Sequence, residues 1–206
     1  MEFLLFWGAA FSGYFISGIN PAIILSNAVY GKDIREFGSH NPGFTNFKRV
    51  FGMKWAITVM IVDLLKSALP AILFGHLFDI YLGGQWHLGV TFTCLFSMLG
   101  HAFPIWYGFE GGKGFLVCLS AMWTVDWLVG AVATALMIIL LLITKYMSLS
   151  TTLAMLSCPI TMIFLGSAPL PTVLAAISVF FMAIRHKENF VRLANGTESR
   201  FSFSKK

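Results

Sequence analysis

The stretch GSHNPGFTNFKR, from Gly38 to Arg49, combines residue types that bind anions within an otherwise apolar chain. Backbone N–H groups in a glycine-rich turn are suited to a phosphate or another anion. The hydroxyls of Ser39 and Thr45 and the planar, always charged fork of Arg49 would add to them. The alternative is a glycine- and asparagine-rich turn whose cations only serve membrane topology.

Two later stretches share this chemistry. The segment Gly111–Gly114 places three glycines around Lys113, so that the backbone could approach a charged ligand closely. It is not a P-loop, because Phe115 stands where that motif has Ser or Thr. Further on, His186 and Asn189 are three residues apart, as are Asn189 and Arg192, which places the three on one face of a helix. A flexible turn and an amphipathic helix at lipid headgroups are the respective alternatives.

The composition predicts an all-α, polytopic integral membrane protein that forms a single domain over residues 1–206. Of the 206 residues, 57% are hydrophobic and only 11% are charged, whereas soluble domains have about 25% charged residues. Several apolar runs approach the ~20 residues that a spanning helix needs. The first run begins at Phe3, and no basic residue precedes Lys32, so we expect a retained span rather than a cleaved signal.

The apolar runs predict seven transmembrane helices, or five or six if the short ones do not fully cross. A kink is expected at Pro21. The run Phe115–Thr144 would be about 45 Å long as one helix, more than a ~30 Å hydrocarbon core requires. We therefore expect two helices with a turn around Thr124–Trp127. The other runs are Phe3–Tyr30, Trp55–Phe78, Leu88–Trp106, Ser150–Gly166 and Thr172–Ile184.

Charge placement predicts the orientation. With seven spans, thirteen of the fourteen Lys and Arg residues fall on one side of the membrane, which places the amino terminus outside and the carboxyl terminus in the cytoplasm. The three polar stretches then share the cytoplasmic face and could form one site. The remaining cation, Lys66, lies within a span three residues after Asp63, so the two can pair.

No metal, cofactor, nucleic acid or obligate protein partner is expected. The three cysteines, Cys94, Cys118 and Cys158, all lie in apolar segments, and their spacing does not match zinc motifs. We expect them to serve as small lipid-facing or helix-packing residues.

In this order, the three stretches resemble the motifs of the PlsY family, the bacterial membrane acyl-phosphate:glycerol-3-phosphate acyltransferases. The family motifs are similar to GSGNxGATNxxR, GHxFPxFxxFxGGKG and HxxNIxRLxxGxE. This chain has GSHNPGFTNFKR, GHAFPIWYGFEGGKG and HKENFVRLANGTE. The resemblance covers nearly the whole chain. It implies transfer of a fatty acyl group from acyl phosphate to the sn-1 hydroxyl of glycerol 3-phosphate, giving lysophosphatidic acid and phosphate, at the cytoplasmic face of a bacterial inner membrane and among its lipids.

The resemblance also implies the site residues. The candidates for catalysis are His186, Asn189, Lys113 and Glu198. The candidates for substrate binding are Ser39, Asn41, Thr45, Asn46, Arg49, His101, Gly111, Gly112, Lys113, Gly114 and Arg192. Two groups could be the general base, namely His186 and a phosphate oxygen of the substrate. We favour the phosphate oxygen, because the acceptor hydroxyl and the acyl phosphate must lie side by side.

Two departures from the family motif leave another acceptor open. His40 replaces a glycine and Phe44 an alanine, and both add bulk to the loop expected to hold ligand. A paralogue with a different acyl acceptor is therefore one alternative. A membrane transporter of a phosphorylated solute is another, because charged residues within helices are common in transporters. Transporters commonly place their sites near the midplane, between repeats, whereas the polar loops here lie at one surface and no internal repeat is evident.

Overall fold

The structure, a computed structural model, describes residues 1–202, and over these residues the chain forms helices and no strand. Ten α-helices are joined by short loops, two of which contain 3₁₀ turns at Ile34–Glu36 and Ile105–Tyr107. The α-helices are α1 (Glu2–Gly18), α2 (Pro21–Tyr30), α3 (Phe44–Phe51), α4 (Met53–Tyr81), α5 (Trp86–Ala102), α6 (Phe115–Val125), α7 (Trp127–Thr144), α8 (Met147–Phe164), α9 (Pro169–Arg185) and α10 (Lys187–Ala194). The predicted all-α fold is confirmed.

Five helical segments among the described residues are long and apolar enough to cross a membrane. The number becomes six if α9 and α10, which meet at a bend of 52°, form one span. Helix α6 has only 11 residues, so it is about 16 Å long and reaches about half-way through a ~30 Å hydrocarbon core. A multi-pass membrane protein is thus supported, while the count of seven spans and the orientation stay predictions.

Both expected helix interruptions are present. Pro21 is the first residue of α2, and the side chain of Asn20 accepts hydrogen bonds at 3.0 and 3.1 Å from the N–H groups two and three residues later. Asp126 separates α6 from α7 in an extended conformation, and its carboxylate accepts a 2.7 Å bond from the N–H of Leu128. The turn therefore lies within the predicted range Thr124–Trp127.

The bundle is packed through small residues and is apolar on its outer surface. Helices α1 and α5 approach so closely at Gly100 that a Cβ there would lie 2.0 Å from the carbonyl oxygen of Tyr14. The three cysteines are fully buried in the main apolar core, so they pack helices together rather than face lipid. On the outside, large side chains such as Ile143 and Phe164 are 74% and 86% exposed, as expected for residues that contact lipid tails.

The same fold brings the polar stretches together. Asn20, at the break between α1 and α2, donates a 3.1 Å bond from its Nδ2 to the carbonyl oxygen of Pro42 in the first stretch. Arg35 pairs with Asp33 at 2.7 Å and donates a 3.0 Å bond to the carbonyl oxygen of Tyr107, which precedes the glycine-rich stretch. The first and second stretches are therefore tied to each other as well as to the helices.

Candidate active site

A cavity of about 230 Å³, with charged and polar side chains on part of its wall, lies where the three polar stretches meet. Its wall combines residues from α3 and the loop before it, from the start of α6, from α10 and from the tail that follows α10. The sequence-predicted residues on the wall are Ser39, Asn41, Thr45, Asn46, Arg49, His101, Lys113, Gly114, His186, Asn189, Arg192 and Glu198. Twelve of the fourteen predicted site residues thus line one space, which supports the prediction that the stretches form one site.

Within the first stretch, Asn46 shapes the loop. Its side-chain oxygen accepts a 2.9 Å bond from the N–H of Ser39, and its Nδ2 donates a 2.9 Å bond to the carbonyl oxygen of Phe37. The residue is 1% exposed. Gly38 has φ +62°, and a Cβ there would lie 2.3 Å from the Asn46 oxygen. Since the amide is used inside the loop, Asn46 holds the neighbouring Ser39 against the cavity.

Arg49 is the exposed cation of this loop. It lies on α3 with its side chain at the cavity wall, and among the described residues no carboxylate lies within ion-pair distance of it. A guanidinium in this position can form two parallel bonds to a phosphate. Ser39 and Thr45 place hydroxyl groups on the same wall.

The two residues that depart from the family motif take different places. His40 has φ +57°, the left-handed region that glycine adopts without cost, which explains the glycine of the motif. Its ring nitrogen Nδ1 lies 2.8 Å from the carbonyl oxygen of Arg35, and the side chain is exposed, away from the cavity lining. Phe44, in contrast, lines the cavity. The expectation that both residues add bulk to the site therefore holds for Phe44 alone.

The second stretch is a tightly bonded loop. The N–H groups of Gly111 and Gly112 donate to the carbonyl oxygens of Ala102 and His101 at 3.2 and 3.0 Å. A Cβ on Gly112 would lie 2.2 Å from Nε2 of His101. Arg185 donates to both glycine carbonyls, at 3.2 and 3.4 Å. The sequence placed these two glycines among the substrate-binding residues. Their substrate-binding role stays a prediction; in the structure their backbone groups bond within the protein and precede Lys113.

A buried charged network lies behind this loop. Lys66 Nζ is 2.8 Å from Asp63 Oδ1 and donates a 2.8 Å bond to the carbonyl oxygen of Ile19. The predicted pair is thus present. Lys66 Nζ is also 2.9 Å from Nδ1 of His101. Since an ammonium group only donates, Nδ1 accepts and the ring proton is on Nε2, beside Gly112. The network therefore fixes the orientation of His101 at the cavity wall.

The third stretch and the tail hold Lys113. Its Nζ donates to Oδ1 of Asn189, and Nδ2 of Asn189 donates a 2.7 Å bond to Oε1 of Glu198. Glu198 also accepts a 2.9 Å bond from Ser148 Oγ and pairs at 2.9 Å with Nε of Arg192. Burial raises the pKa of the Glu198 carboxyl, but the bonds from Asn189, Ser148 and Arg192 outweigh burial and lower it. Glu198 is therefore ionised, its two oxygens accept bonds from these three side chains, and it holds Asn189 in position beside Lys113.

His186 lies at the junction of α9 and α10 and is 5% exposed. Its Nδ1 is 2.9 Å from the carbonyl oxygen of Met182. A carbonyl only accepts, so Nδ1 carries the proton, and the lone pair is on Nε2. The ring lines the cavity, and it can accept a proton or a hydrogen bond there.

Lys113 is set to titrate near neutral pH. Burial, and to a lesser extent the charge of Arg192, lower the pKa of its ammonium group to about 8. Its charge is complete well below that value and is lost above it.

From this we predict that kcat/KM for an anionic substrate declines as pH rises from about 7 to about 9, because the free enzyme loses the Lys113 charge. A phosphate on the substrate, which the family resemblance implies, has a second pKa near 6 and keeps a constant charge over this interval. The measurement is a pH–rate profile of the wild type and of Lys113→Arg, whose guanidinium stays charged. An alkaline limb that is the same in both proteins would exclude Lys113 as the titrating group.

Several residues that line the cavity were not predicted from the sequence. Ser148 binds Glu198, and Phe201 lines the cavity with its N–H donating a 2.7 Å bond to the carbonyl oxygen of Lys145. Met60 and Met137 line its apolar side. For Ser148 the sequence carries a weak signal, since it belongs to a Tyr-Met-Ser-Leu segment after Lys145 that also resembles the PlsY family. The others carry no signal, since a methionine or phenylalanine in an apolar run looks like any packing residue.

Fold and site together define a multi-pass membrane protein with a cavity that has Arg49, Lys113 and Arg192 on its wall. The chain belongs to the glycerol-3-phosphate acyltransferase family, whose model matches residues 7–196. Among its relatives, the glycerol-3-phosphate acyltransferase of Brucella anthropi is 35% identical over 94% of this chain and 92% of its own length. That of Francisella philomiragia is 32% identical over 97% and 94%.

The fold is also similar to that of a solved member of this family. The crystal structure of PlsY, an integral membrane glycerol 3-phosphate acyltransferase, in its glycerol 3-phosphate form has a TM-score of 0.87, 29% identity and 96% coverage of both chains. The form with lysophosphatidic acid has a TM-score of 0.83 and 27% identity, and covers 96% of this chain and 95% of that one. The predicted family is thereby confirmed.

Proposed function

We propose that this protein transfers a fatty acyl group from acyl phosphate to the sn-1 hydroxyl of glycerol 3-phosphate, releasing lysophosphatidic acid and inorganic phosphate. The observation that carries the proposal is a cavity that has Arg49, Lys113 and Arg192 on its wall and passes into an apolar groove. Both substrates bear a phosphate, and the donor also bears a long apolar chain. A cation-lined cavity next to an apolar groove fits that combination.

The reaction needs positioning and charge stabilisation more than a strong nucleophile. The acceptor hydroxyl oxygen attacks the carbonyl carbon of the acyl phosphate, the bond from that carbon to the phosphate oxygen breaks, and phosphate leaves. The hydroxyl proton passes to a phosphate oxygen of the substrate. Because the leaving group is already activated, donors aimed at the developing oxyanion and at the phosphate supply most of the catalysis.

The cavity residues divide between two tasks. Ser39, Thr45 and Arg49 bind the acceptor phosphate, while Lys113 contacts the phosphate of the donor and stabilises it as it leaves. Asn189 and Glu198 act on the reaction by holding Lys113, as their hydrogen bonds indicate. The remaining predicted residues complete the wall, with Gly111 and Gly112 shaping the loop.

The membrane topology that we propose follows from the distribution of Lys and Arg residues. We place the amino terminus outside, seven helical segments in the plasma (inner) membrane of a bacterium, and the cavity at the cytoplasmic face, with residues 1–206 as one domain. In this arrangement thirteen of fourteen cations lie on the cytoplasmic side. Helix α6 then runs from the cavity toward the outer face, where Asp126 connects it to α7 and Trp86 bonds to its last turn.

The deciding experiment uses the full-length protein, purified into lipid, with acyl phosphate and glycerol 3-phosphate as substrates. We expect stoichiometric formation of phosphate and lysophosphatidic acid. Acyl coenzyme A supplied in place of acyl phosphate tests the choice of donor. Absence of both products with acyl phosphate would refute the proposed reaction.

For the base, we predict that His186→Asn retains turnover within about tenfold of the wild type, because the proton goes to the substrate phosphate and not to the ring. Asparagine can still donate to the Met182 carbonyl, so the local fold is kept. The measurement is kcat with saturating substrates, beside the midpoint of thermal unfolding. A loss of about a thousandfold in a folded protein would instead identify His186 as the base.

For the acceptor, we predict that Phe44→Ala admits phosphorylated alcohols bulkier than glycerol 3-phosphate, because Phe44 occupies space at the cavity wall. His40→Gly serves as the control and leaves the acceptor profile unchanged, since His40 faces away from the cavity. The measurement is the ratio of kcat/KM for the bulkier and the natural acceptor. The same ratio in all three proteins would exclude Phe44 as a determinant of acceptor choice.

A further inference from the structure

A second, apolar cavity extends from the polar one along α6. Helices α4 and α7 each pack against α6, and α6 forms the floor between them. Four residues line both cavities and join them, namely Met60, Phe115, Leu116 and Met137. This acyl groove, as we call it, therefore begins at the reaction site and is open to the lipid side. Its continuity with a phosphate-binding cavity identifies the acyl chain of the donor as its occupant.

The far end of the acyl groove is formed by two tryptophans. Phe115 and Trp123 are eight residues apart on α6, so the floor is about 12 Å long between them. Beyond Trp123 the helix ends, and Nε1 of Trp86 donates to the carbonyl oxygens of Thr124 and Val125 at 3.1 and 3.2 Å. These bonds fix the last turn of α6 at this end of the groove.

Trp123 lines the groove and is held against α7, with 45% of the residue exposed. Its Nε1 lies 3.0 Å from Oγ1 of Thr134 on α7, and Thr134 in turn donates a 2.8 Å bond to the carbonyl oxygen of Gly130. A Cβ on Gly130 would lie 2.3 Å from the indole ring, so the ring rests directly on that backbone. Interfacial tryptophans commonly place their N–H in the headgroup region. The neighbouring Trp127, 68% exposed, lies outside the groove lining.

We propose that Trp123, anchored by Thr134 and seated on Gly130, ends the acyl groove and sets the longest acyl chain that the enzyme accepts efficiently. This inference rests on the proposed function, because it takes the donor to be a lipid phosphate. The donor arrives from the bilayer, whose tails are as apolar as the groove, so each added methylene gains little from leaving lipid. Discrimination is therefore steric, and it sets in where the chain meets the indole.

The test compares four full-length proteins in the same lipid. Trp123→Ala removes the stop, and Ala68→Phe places a ring in the lining on the α4 side, nearer the reaction site than Ile72. Trp127→Ala is the matched control, a tryptophan replaced outside the groove. Each protein is assayed with saturated acyl phosphates that lengthen by two carbons at a time. Phosphate release and lysophosphatidic acid are measured at saturating glycerol 3-phosphate.

We expect the longest efficient donor to become longer in Trp123→Ala and shorter in Ala68→Phe, and to stay the same in Trp127→Ala. In each protein, kcat/KM should fall by about tenfold between the longest efficient donor and the donor that is two carbons longer. Hydrophobic sites discriminate between substrates that differ by a methylene on this scale. If Trp123→Ala does not fold, the shorter limit expected for Ala68→Phe still tests whether the groove holds the acyl chain. Thr134→Val then tests the anchor, because without its hydrogen bond to Trp123 the enzyme should discriminate less sharply against longer chains.

A binding measurement separates this inference from the proposed reaction. Alkyl phosphonates carry the anionic head and the chain but no transferable acyl group, and their binding is followed by thermal stabilisation of each protein. If all four proteins turn over acyl phosphate with the same dependence on chain length, the role of Trp123 is refuted and the proposed reaction stands. The longest alkyl phosphonate that binds could instead differ among the variants as predicted while no protein turns over acyl phosphate. That result would support the role of Trp123 and refute the proposed reaction.

Discussion

Replacing Lys113 by methionine should lower kcat/KM by about 10²- to 10³-fold, the cost of removing one preorganised donor from a site of developing negative charge. Lys113 is the cation that the glycine-rich loop projects into the cavity, and its Nζ is bonded to Asn189. Methionine keeps the length of the side chain and removes its charge. Purified variants are compared by steady-state rates of phosphate release, with thermal unfolding as the test of folding.

The matched control is Lys187→Met, since Lys187 is an exposed lysine on α10 outside the cavity lining. It should have the activity of the wild type. A Lys113→Met protein that unfolds normally and keeps activity within about threefold of the wild type would contradict the role of Lys113.

Arg49→Ala should raise KM for glycerol 3-phosphate by about 10- to 100-fold, because a hydrogen bond to a charged group contributes about 1.5–3 kcal/mol. Among the described residues Arg49 has no carboxylate partner, so its removal leaves no protein charge unpaired. Arg49→Lys should recover part of the loss, since an ammonium group keeps the charge but cannot form the bidentate fork. The measurement is KM for each substrate at saturation of the other.

Arg200→Ala is the control for this change, because Arg200 belongs to the tail and lies outside the cavity lining. It should leave both KM values as they are. An unchanged KM for glycerol 3-phosphate in Arg49→Ala would refute the role of Arg49 in binding the acceptor phosphate.

Much of the fold followed from composition and local rules. Long continuous apolar runs with few charges indicated helices, since a helix satisfies its backbone hydrogen bonds within one spanning segment. Pro21 and Asp126 marked helix breaks because proline lacks an N–H and aspartate caps a following helix. The length of α6 followed in the same way, because Asp126 divides the apolar run of 30 residues into helices of 11 and 18 residues.

The candidate site was predicted as a set of residue types but not as an arrangement. The three stretches contained the groups that bind phosphate, and their common side of the membrane suggested that they meet. The role of each residue, however, depended on contacts between segments that are distant in the sequence. Gly111 and Gly112 turned out to hold a loop, and Glu198 turned out to accept bonds from Ser148, Asn189 and Arg192, fifty, nine and six residues away.

The sequence by itself determined the class of protein, the family and the residues that carry charge, because each of these depends on composition or on short ordered motifs. Only the tertiary structure decided which side chains face the cavity. His40 and Phe44 show the difference, since both depart from the motif, yet a left-handed backbone turns His40 outward while Phe44 lines the cavity. The acyl groove and its end at Trp123 likewise arise from the packing of three helices. No local pattern distinguishes such a lining from residues that face lipid, because both are apolar.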